Sequence, residues 1–375
     1  MLSILGGRSA SGSRLDLSAR DGLLVEQGRS DATLDATGLT VVPGFIDVQV
    51  NGAFGHDFTT DPESIWTAAT RLPETGVTAF LPTLITAPDG TVQAAQAAMR
   101  HRPEGFAGAE PLGLHLEGPM ISFEKRGAHP AEYLAGEASA HAWEPENGVA
   151  LVTLAPELPG ALDAIRTLTE RGVIVSLGHS NATAAEAEAG AGAGATFGTH
   201  LFNAMSLPTR SEPGLAGFLL TDTRLFFGVI NDGVHVHRRL VQLMWAAASD
   251  RMILITDAIA AMGVGDGTYR LGSLDVTVDG MVASRAGGGL AGSVLRMDQA
   301  IRNLIRFTEC TLEEATATVT AHPAALMGLA DRGSLRTGSR ADVVLLDEGA
   351  HVVATVVAGR VAHLDSSDRL TGRTP

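Results

Sequence analysis

The chain reads as an α/β protein, a (β/α)₈ TIM barrel with a small β-sandwich-like domain built from both chain ends. Three observations predict this. Eight short Val/Ile/Leu-rich runs alternate with longer helix-compatible segments through the middle of the sequence. Chemistry-bearing residues fall where several of those runs give way to loops, which is where a barrel of this kind forms its active site. The two ends have another texture, β-branched runs punctuated by Gly, Asp and Ser. Periodicity alone does not separate a barrel from a doubly wound sheet, so the count of eight and the placement of the polar residues decide.

Residues 1–42 carry short alternating segments and turn signals (SARDGLLVEQGRSDATLDATGLTVV), and residues 333–375 resemble them (GSLRTGSRADVVLLDEGAHVVATVVAGRVAH), so the two stretches are expected to share one β-domain. Residues 43–332 hold the expected barrel. Its strands are GFIDVQV ending near Val50, VTAFLPT near Thr83, PLGLHLEG near Glu117 and VALVTLAPE near Ala155. They continue with GVIVSLGH near Gly178, ATFGTHLF near His200, LFFGVIND near Asn231 and MILITDA near Asp257. Between them PESIWTAATRLPETG, TVQAAQAAMRHR, LPGALDAIRTLTERG, NATAAEAEAGAGAG and RRLVQLMWAAASD suit amphipathic or Ala-rich helices. The low-complexity stretch AEAEAGAGAGA reads as a helix followed by a turn rather than a linker. After the eighth strand, TYRLGSLDVTVDGMVASRAGGG reads as hairpins inserted in a long loop.

Composition narrows the function classes. With 27 basic and 42 acidic residues, the formal charge of -15 repels nucleic acid and anionic membrane surfaces. No stretch reaches about 18 uninterrupted apolar residues, and MLSILGGRSASGSR lacks the basic start and the apolar length of a secretory signal, so a cytoplasmic location is expected. The single cysteine, Cys310, excludes an internal disulfide. It sits in a helix-like stretch with no second Cys or thiolate-lowering neighbour, which points to an inert role.

Glu117, His179 and His200 each sit where a strand-like run ends, on strands three, five and six. A carboxylate and two imidazoles delivered this way can hold one divalent metal with a position left open for water. Either histidine alone would read as a capping or hydrogen-bonded core residue; the three together read as a ligand set. Zinc suits the nitrogen and oxygen donors, and iron or another divalent ion fits the same set. Asp257 follows strand eight at the same kind of strand end, where an Asp by itself also suits a cap for the next segment.

VVPGFIDVQVNG, HLEGP followed by KRGAH, LGHS, THLFNAM, EPGLAG, DGVH, ITDA, LAGS and GSLRTGSRADVVLLD occur in that order from about residue 41 to about residue 346. In this the chain resembles the amidohydrolase superfamily and, within it, the N-acetylglucosamine-6-phosphate deacetylases. The resemblance implies that Asp257 takes a proton from the attacking water and returns it to the departing amine. It implies that His129 polarises the acetamide carbonyl. It places Ala128, His129, Asn203, Ala204, His235 and Leu290 around the amino sugar and its phosphate, although His235 also reads as a surface histidine beside His237.

Two departures from the family pattern stand out. Where many relatives carry an HxH pair for a second metal, this chain has Gln49 and Asn51, so one catalytic metal is expected. The arginine that immediately precedes EPG, and reaches the phosphate across a dimer interface, is here displaced by one residue as Arg210, with Ser211 in its place. The resemblance implies a homodimer, and hydrolysis of N-acetylglucosamine-6-phosphate to glucosamine-6-phosphate and acetate. Three alternatives stay open. They are a deacetylase of an unphosphorylated or galacto-configured N-acetyl sugar, an N-acyl amino acid deacylase or cyclic-amide hydrolase, and a catalytically silent sugar-phosphate binding protein.

Overall fold

The computed structural model describes residues 1–137, 140 and 143–372; residues 373–375 of the tail lie outside the described residues. Eight parallel strands form the central sheet in chain order: Phe45–Val50, Val77–Ile85, Leu114–Glu117, Val149–Leu154, Ile174–Leu177, Phe197–Gly198, Phe226–Ile230 and Met252–Ile255. All eight coincide with the runs read from the sequence. The first, second, fourth and eighth are buried at nearly every position, as strands covered on both faces must be. A polar chain inside the barrel is satisfied internally: His115 Nδ1 meets Val48 O at 3.0 Å and Nε2 meets Thr153 Oγ1 at 2.7 Å, and Thr153 meets Thr199. His115 and Glu117 are two apart on one strand and so face the same interior.

Strands one and eight close the barrel without a continuous ladder. At one end Ile46 N–H donates to Val319 O and Leu254 N–H to Thr318 O, so the short link between the helices Leu312–Ala317 and Ala321–Leu326 fills the seam. At the other end Asp257 N–H donates to Gln49 O at 2.9 Å and Asn51 N–H to Ala258 O at 2.8 Å. This closure places Gln49, Asn51 and Asp257 side by side on one rim.

The helices Asp89–Arg100, Ala161–Glu170, Ala184–Ala193, Gly214–Thr221, Arg238–Ala248 and Met297–Thr308 cover the barrel. Ala184–Ala193 starts at a capping box in which Thr183 and Glu186 satisfy each other's backbone N–H. One expected unit departs from strand-then-helix. Between strands three and four, among the described residues, there are only short 3₁₀ turns at Phe123–Lys125, Ala131–Tyr133 and Pro145–Asn147. Freed from the helical layer, this segment can carry His129 to the mouth of the barrel. Cys310 also departs from its helix-like reading. It lies between two helices, just after Glu309 at φ 60°, and its burial pushes the thiol up, in keeping with an inert role.

Both chain ends build a second, nine-stranded sheet. Thr40–Pro43 pairs antiparallel with Val343–Leu346, and Leu2–Ser9 pairs in parallel with Ala32–Asp35 along its first half and Thr40–Pro43 along its second. It has its own apolar core around Ile4, Leu34, Val41, Val343 and Val356. The insert after strand eight is a three-stranded antiparallel sheet, Gly267–Leu271, Leu274–Asp279 and Val282–Arg285, packed on Ile85 and Ile259 beside the rim.

Candidate active site

The rim residues are held in costly backbone conformations. His179, His200 and Asp257 have φ of 48°, 33° and 48°, and Ala204 has 47°. A left-handed backbone costs a residue with a Cβ about 1–2 kcal/mol, and glycine would remove the cost. Strain retained at side chains that converge on one cavity marks a functional site.

Three donor atoms meet at one point. Glu117 Oε1 lies 3.1 Å from His179 Nε2 and 3.0 Å from His200 Nε2, and the two Nε2 atoms are 3.0 Å apart. His179 Nδ1 faces Lys125 O at 2.8 Å, so Nδ1 carries the proton and Nε2 presents a lone pair. Two imidazole nitrogens and a carboxylate at this separation need positive charge between them. Glu117 is pushed up by burial, but His179, His129 and His200 outweigh this and hold it well below the usual carboxylate range. Burial lowers His200, yet Glu117 and Asp257 outweigh it and raise the imidazole above its ordinary value, the same demand expressed as proton affinity. The donor set therefore fits a divalent cation.

His129 is also within reach, since Glu117, His129 and His179 can each offer an atom within 4.8 Å of the others. Its tautomer sets it apart. Thr86 N–H donates to His129 Nδ1 at 3.1 Å, so Nδ1 is the acceptor and Nε2 must carry the proton. Burial pulls this imidazole down to about 4, so it stays neutral with Nε2–H as a donor, 3.7 Å from Glu117 Oε2. Gly118 makes the contact possible: a Cβ there would stand 2.2 Å from Thr86 Oγ1.

Asp257 Oδ1 accepts from Asn51 Nδ2 at 2.7 Å and from Gln49 Nε2 at 3.1 Å, and the same Gln49 nitrogen is 3.1 Å from Glu117 Oε1. Burial, reinforced by the Glu117 charge, pushes Asp257 up to about 6. Gln49 and Asn51 thus turn their amide N–H groups toward the two carboxylates, while Gln49 Oε1 and Asn51 Oδ1 are buried without a hydrogen-bond partner among the described residues. They act as neutral donors, in the positions where two imidazoles would present lone pairs.

A cavity of about 380 Å³ opens over this cluster, and Ala128, His129, Asn203, Ala204, His235 and Leu290 all line it. His235 is no surface residue: its side chain is 6% exposed and its Nδ1 donates to Asp232 Oδ2 at 2.6 Å. Arg210 is exposed and does not line the cavity of its own chain. Two cations absent from the sequence reading do, Lys125 and Arg285. Arg285 Nη1 donates to Gly127 O at 2.6 Å and Nε to Gly288 O at 3.1 Å. Gly289, at φ 95°, leaves room for it, since a Cβ there would lie 3.2 Å from Nε. The Arg separated by one residue from the three glycines in SRAGGG was the available signal.

The amidohydrolase family profile matches residues 40–362. N-acetylglucosamine-6-phosphate deacetylase of Homo sapiens is 41% identical over 357 residues, spanning 90% of this chain and 87% of the relative. The chain belongs to the amidohydrolase family. Within that family it groups with the N-acetylglucosamine-6-phosphate deacetylases. A further relative, N-acetylgalactosamine-6-phosphate deacetylase of Escherichia coli O157:H7, is 40% identical over 327 residues, spanning 85% of this chain and 87% of the relative. Among solved amidohydrolases, a substrate-bound Asp-to-Ala variant of N-acetyl-D-glucosamine-6-phosphate deacetylase from Mycobacterium smegmatis superposes with a TM-score of 0.84. Identity to it is 32%, with 96% of this chain and 98% of that chain covered.

Proposed function

We propose that this chain hydrolyses the acetamide of N-acetylglucosamine-6-phosphate to glucosamine-6-phosphate and acetate, with one divalent ion, zinc by its donor set, held by Glu117, His179 and His200. The observation that carries this reading is the convergence of those three donors with Asp257 and the Nε2–H of His129 on one rim, in a chain 41% identical to a deacetylase of that sugar phosphate. When bound, the ion would supply Lewis-acid charge for the acetamide carbonyl and for the attacking water.

The remaining work falls to the chain's own groups. Asp257, pushed to about 6, accepts a proton from the attacking water and returns it to the amine nitrogen as the C–N bond breaks. His129 Nε2–H donates to the carbonyl oxygen as negative charge grows on it, because Nδ1 is already occupied by Thr86 N–H. His235 Nε2 is left to the sugar once Nδ1 donates to Asp232. Ala128, Asn203, Ala204 and Leu290 shape the sugar site. Lys125 and Arg285 supply the positive charge for the phosphate from within the same chain. Residues 43–332 form the catalytic domain, and residues 1–42 with 333–375 the small β-domain. The protein acts in the cytoplasm as a homodimer, with exposed Arg210 offered to the partner's site.

The test is acetate release from N-acetylglucosamine-6-phosphate, N-acetylgalactosamine-6-phosphate and unphosphorylated N-acetylglucosamine by the zinc-loaded protein, compared as kcat/KM. Preference for the phosphorylated gluco sugar supports the reading. The 40% identity to the galactosamine-6-phosphate enzyme is the specific reason to include the second sugar, and preference for it would transfer the chemistry to that substrate. No release from any of the three would overturn the reading.

A further inference from the structure

A second cavity, of about 430 Å³, lies at the joint between the small sheet and the barrel. Its walls are Arg20–Gly22 and Val357–Arg360 from the sheet, and Arg102 with Phe106–Gly108 from the segment that follows the helix Asp89–Arg100. It shares no lining residue with the catalytic cavity. The two also lie toward opposite ends of the barrel. Glu110, which ion-pairs with the cavity's Arg340, is in register with Ala79 near the start of strand two, whereas Glu117 is in register with Ile85 at its end.

The charge here reverses that of the whole protein. In a chain of net charge -15, four arginines line this cavity, Arg20, Arg102, Arg340 and Arg360, against one carboxylate, Asp21. Just behind the wall, Glu110 and Asp342 bind Arg340, but Arg332 joins the same two carboxylates at 3.1 and 2.6 Å, so little negative charge is left over for the cavity. Arg102 reaches Glu110 only at 3.6 Å. The one described hydrogen bond of the Arg20 guanidinium is to Met1 Sδ at 3.2 Å, a weak acceptor, and Arg360 forms none among the described residues. Guanidiniums converging on a concave surface with most of their N–H groups free match the oxygens of a phosphate, which accept in pairs.

We propose that this cavity binds a small phosphorylated anion, gripped by Arg20 and Arg360 from the sheet and Arg102 from the barrel. The volume admits a phosphate with a compact body attached, and Phe106, whose ring lies under the Arg102 guanidinium at 5.4 Å, helps to hold that arginine at the cavity wall. Because the grip spans both parts of the molecule, occupancy favours their docking and raises the melting temperature with ligand concentration.

The experiment titrates the full-length, zinc-loaded protein with inorganic phosphate at constant ionic strength, reading Tm and heat of binding. Three proteins are compared: wild type, the double variant Arg20→Gln/Arg360→Gln, and Arg285→Ala, which weakens any phosphate binding at the catalytic cavity. The expected result is a saturable Tm rise in the wild type and in Arg285→Ala, with affinity at least about tenfold weaker in the double variant. The double variant should keep wild-type kcat/KM in phosphate-free buffer, which shows that it folds. Equal phosphate affinity in the double variant, or no saturable rise in the wild type, would overturn the proposal.

Discussion

Replacing Arg285 by Ala separates two things this side chain does. Two of its N–H groups are committed to backbone, to Gly127 O at 2.6 Å and Gly288 O at 3.1 Å, which leaves the rest of the guanidinium to the cavity. One charge-assisted hydrogen bond to a substrate phosphate is worth about 1.5–3 kcal/mol. At 1.36 kcal/mol per decade, its loss lowers kcat/KM for the phosphorylated sugar by roughly 10- to 150-fold. The same substitution frees Gly127 O and loosens the turn ahead of Ala128 and His129, an effect that falls equally on phosphorylated and unphosphorylated sugars. The assay is therefore kcat/KM for both substrates in wild type, Arg285→Ala and Arg285→Lys. The phosphate contribution is the loss seen only with the phosphorylated sugar, and Arg285→Lys should restore part of it by keeping the charge. Equal losses with both sugars would refute the phosphate role and leave Arg285 as a support for the His129 turn.

Three other outcomes follow from the geometry. His129→Ala should lower kcat by about 10²–10³ with little change in bound zinc, because its protonated Nε2 donates rather than ligates; loss of stoichiometric zinc in this variant would contradict the tautomer. His179→Ala or His200→Ala should instead abolish tight zinc binding, measured by elemental analysis after dialysis, and retention of the metal would remove these residues from the ligand set. Asp47 tests the closing seam by pH. Burial, opposed by the Thr256 hydroxyl at 2.6 Å, pushes its carboxyl from 3.8 to about 7. Between those values the folded chain holds a proton that the unfolded chain has released, so this residue's contribution to stability falls as pH rises from about 4 to about 7 and levels off above. Asp47→Asn should flatten that slope by an amount on the order of 4 kcal/mol across the window, read by denaturant unfolding; an unchanged slope would show that Asp47 is ionised in the folded protein.

Several features were legible in the residues because local pattern determines them. An uninterrupted apolar run such as MILI, bounded by turn signals and repeated eight times between helix-compatible segments, fits a strand covered on both faces, and a polar residue just past its end then stands on the rim. That is why the sequence places Glu117, His179, His200 and Asp257 at strand ends, and why two chain ends of similar β-rich texture are expected in one sheet. The missing helix between strands three and four was not legible, since PESIWTA-like patterning elsewhere says nothing about a segment that packs as turns over a barrel mouth.

What only the tertiary structure decided are matters of distance between residues remote in sequence. The proton on His129 is placed by Thr86, 43 positions earlier, and Asp257 takes its amide donors from Gln49 and Asn51, 208 and 206 positions earlier. Gln49 and Asn51 read in the sequence as two poor metal ligands; folded, they are donors to the carboxylates beside the metal position. Arg210, next to its motif in the sequence, lies outside its chain's cavity, while Arg285, from an inserted hairpin, lines it. Residue type sets which protons and lone pairs a chain can offer. Which of them meet, and which are cut off from water, is set only when barrel closure brings the ends of its strands to one rim.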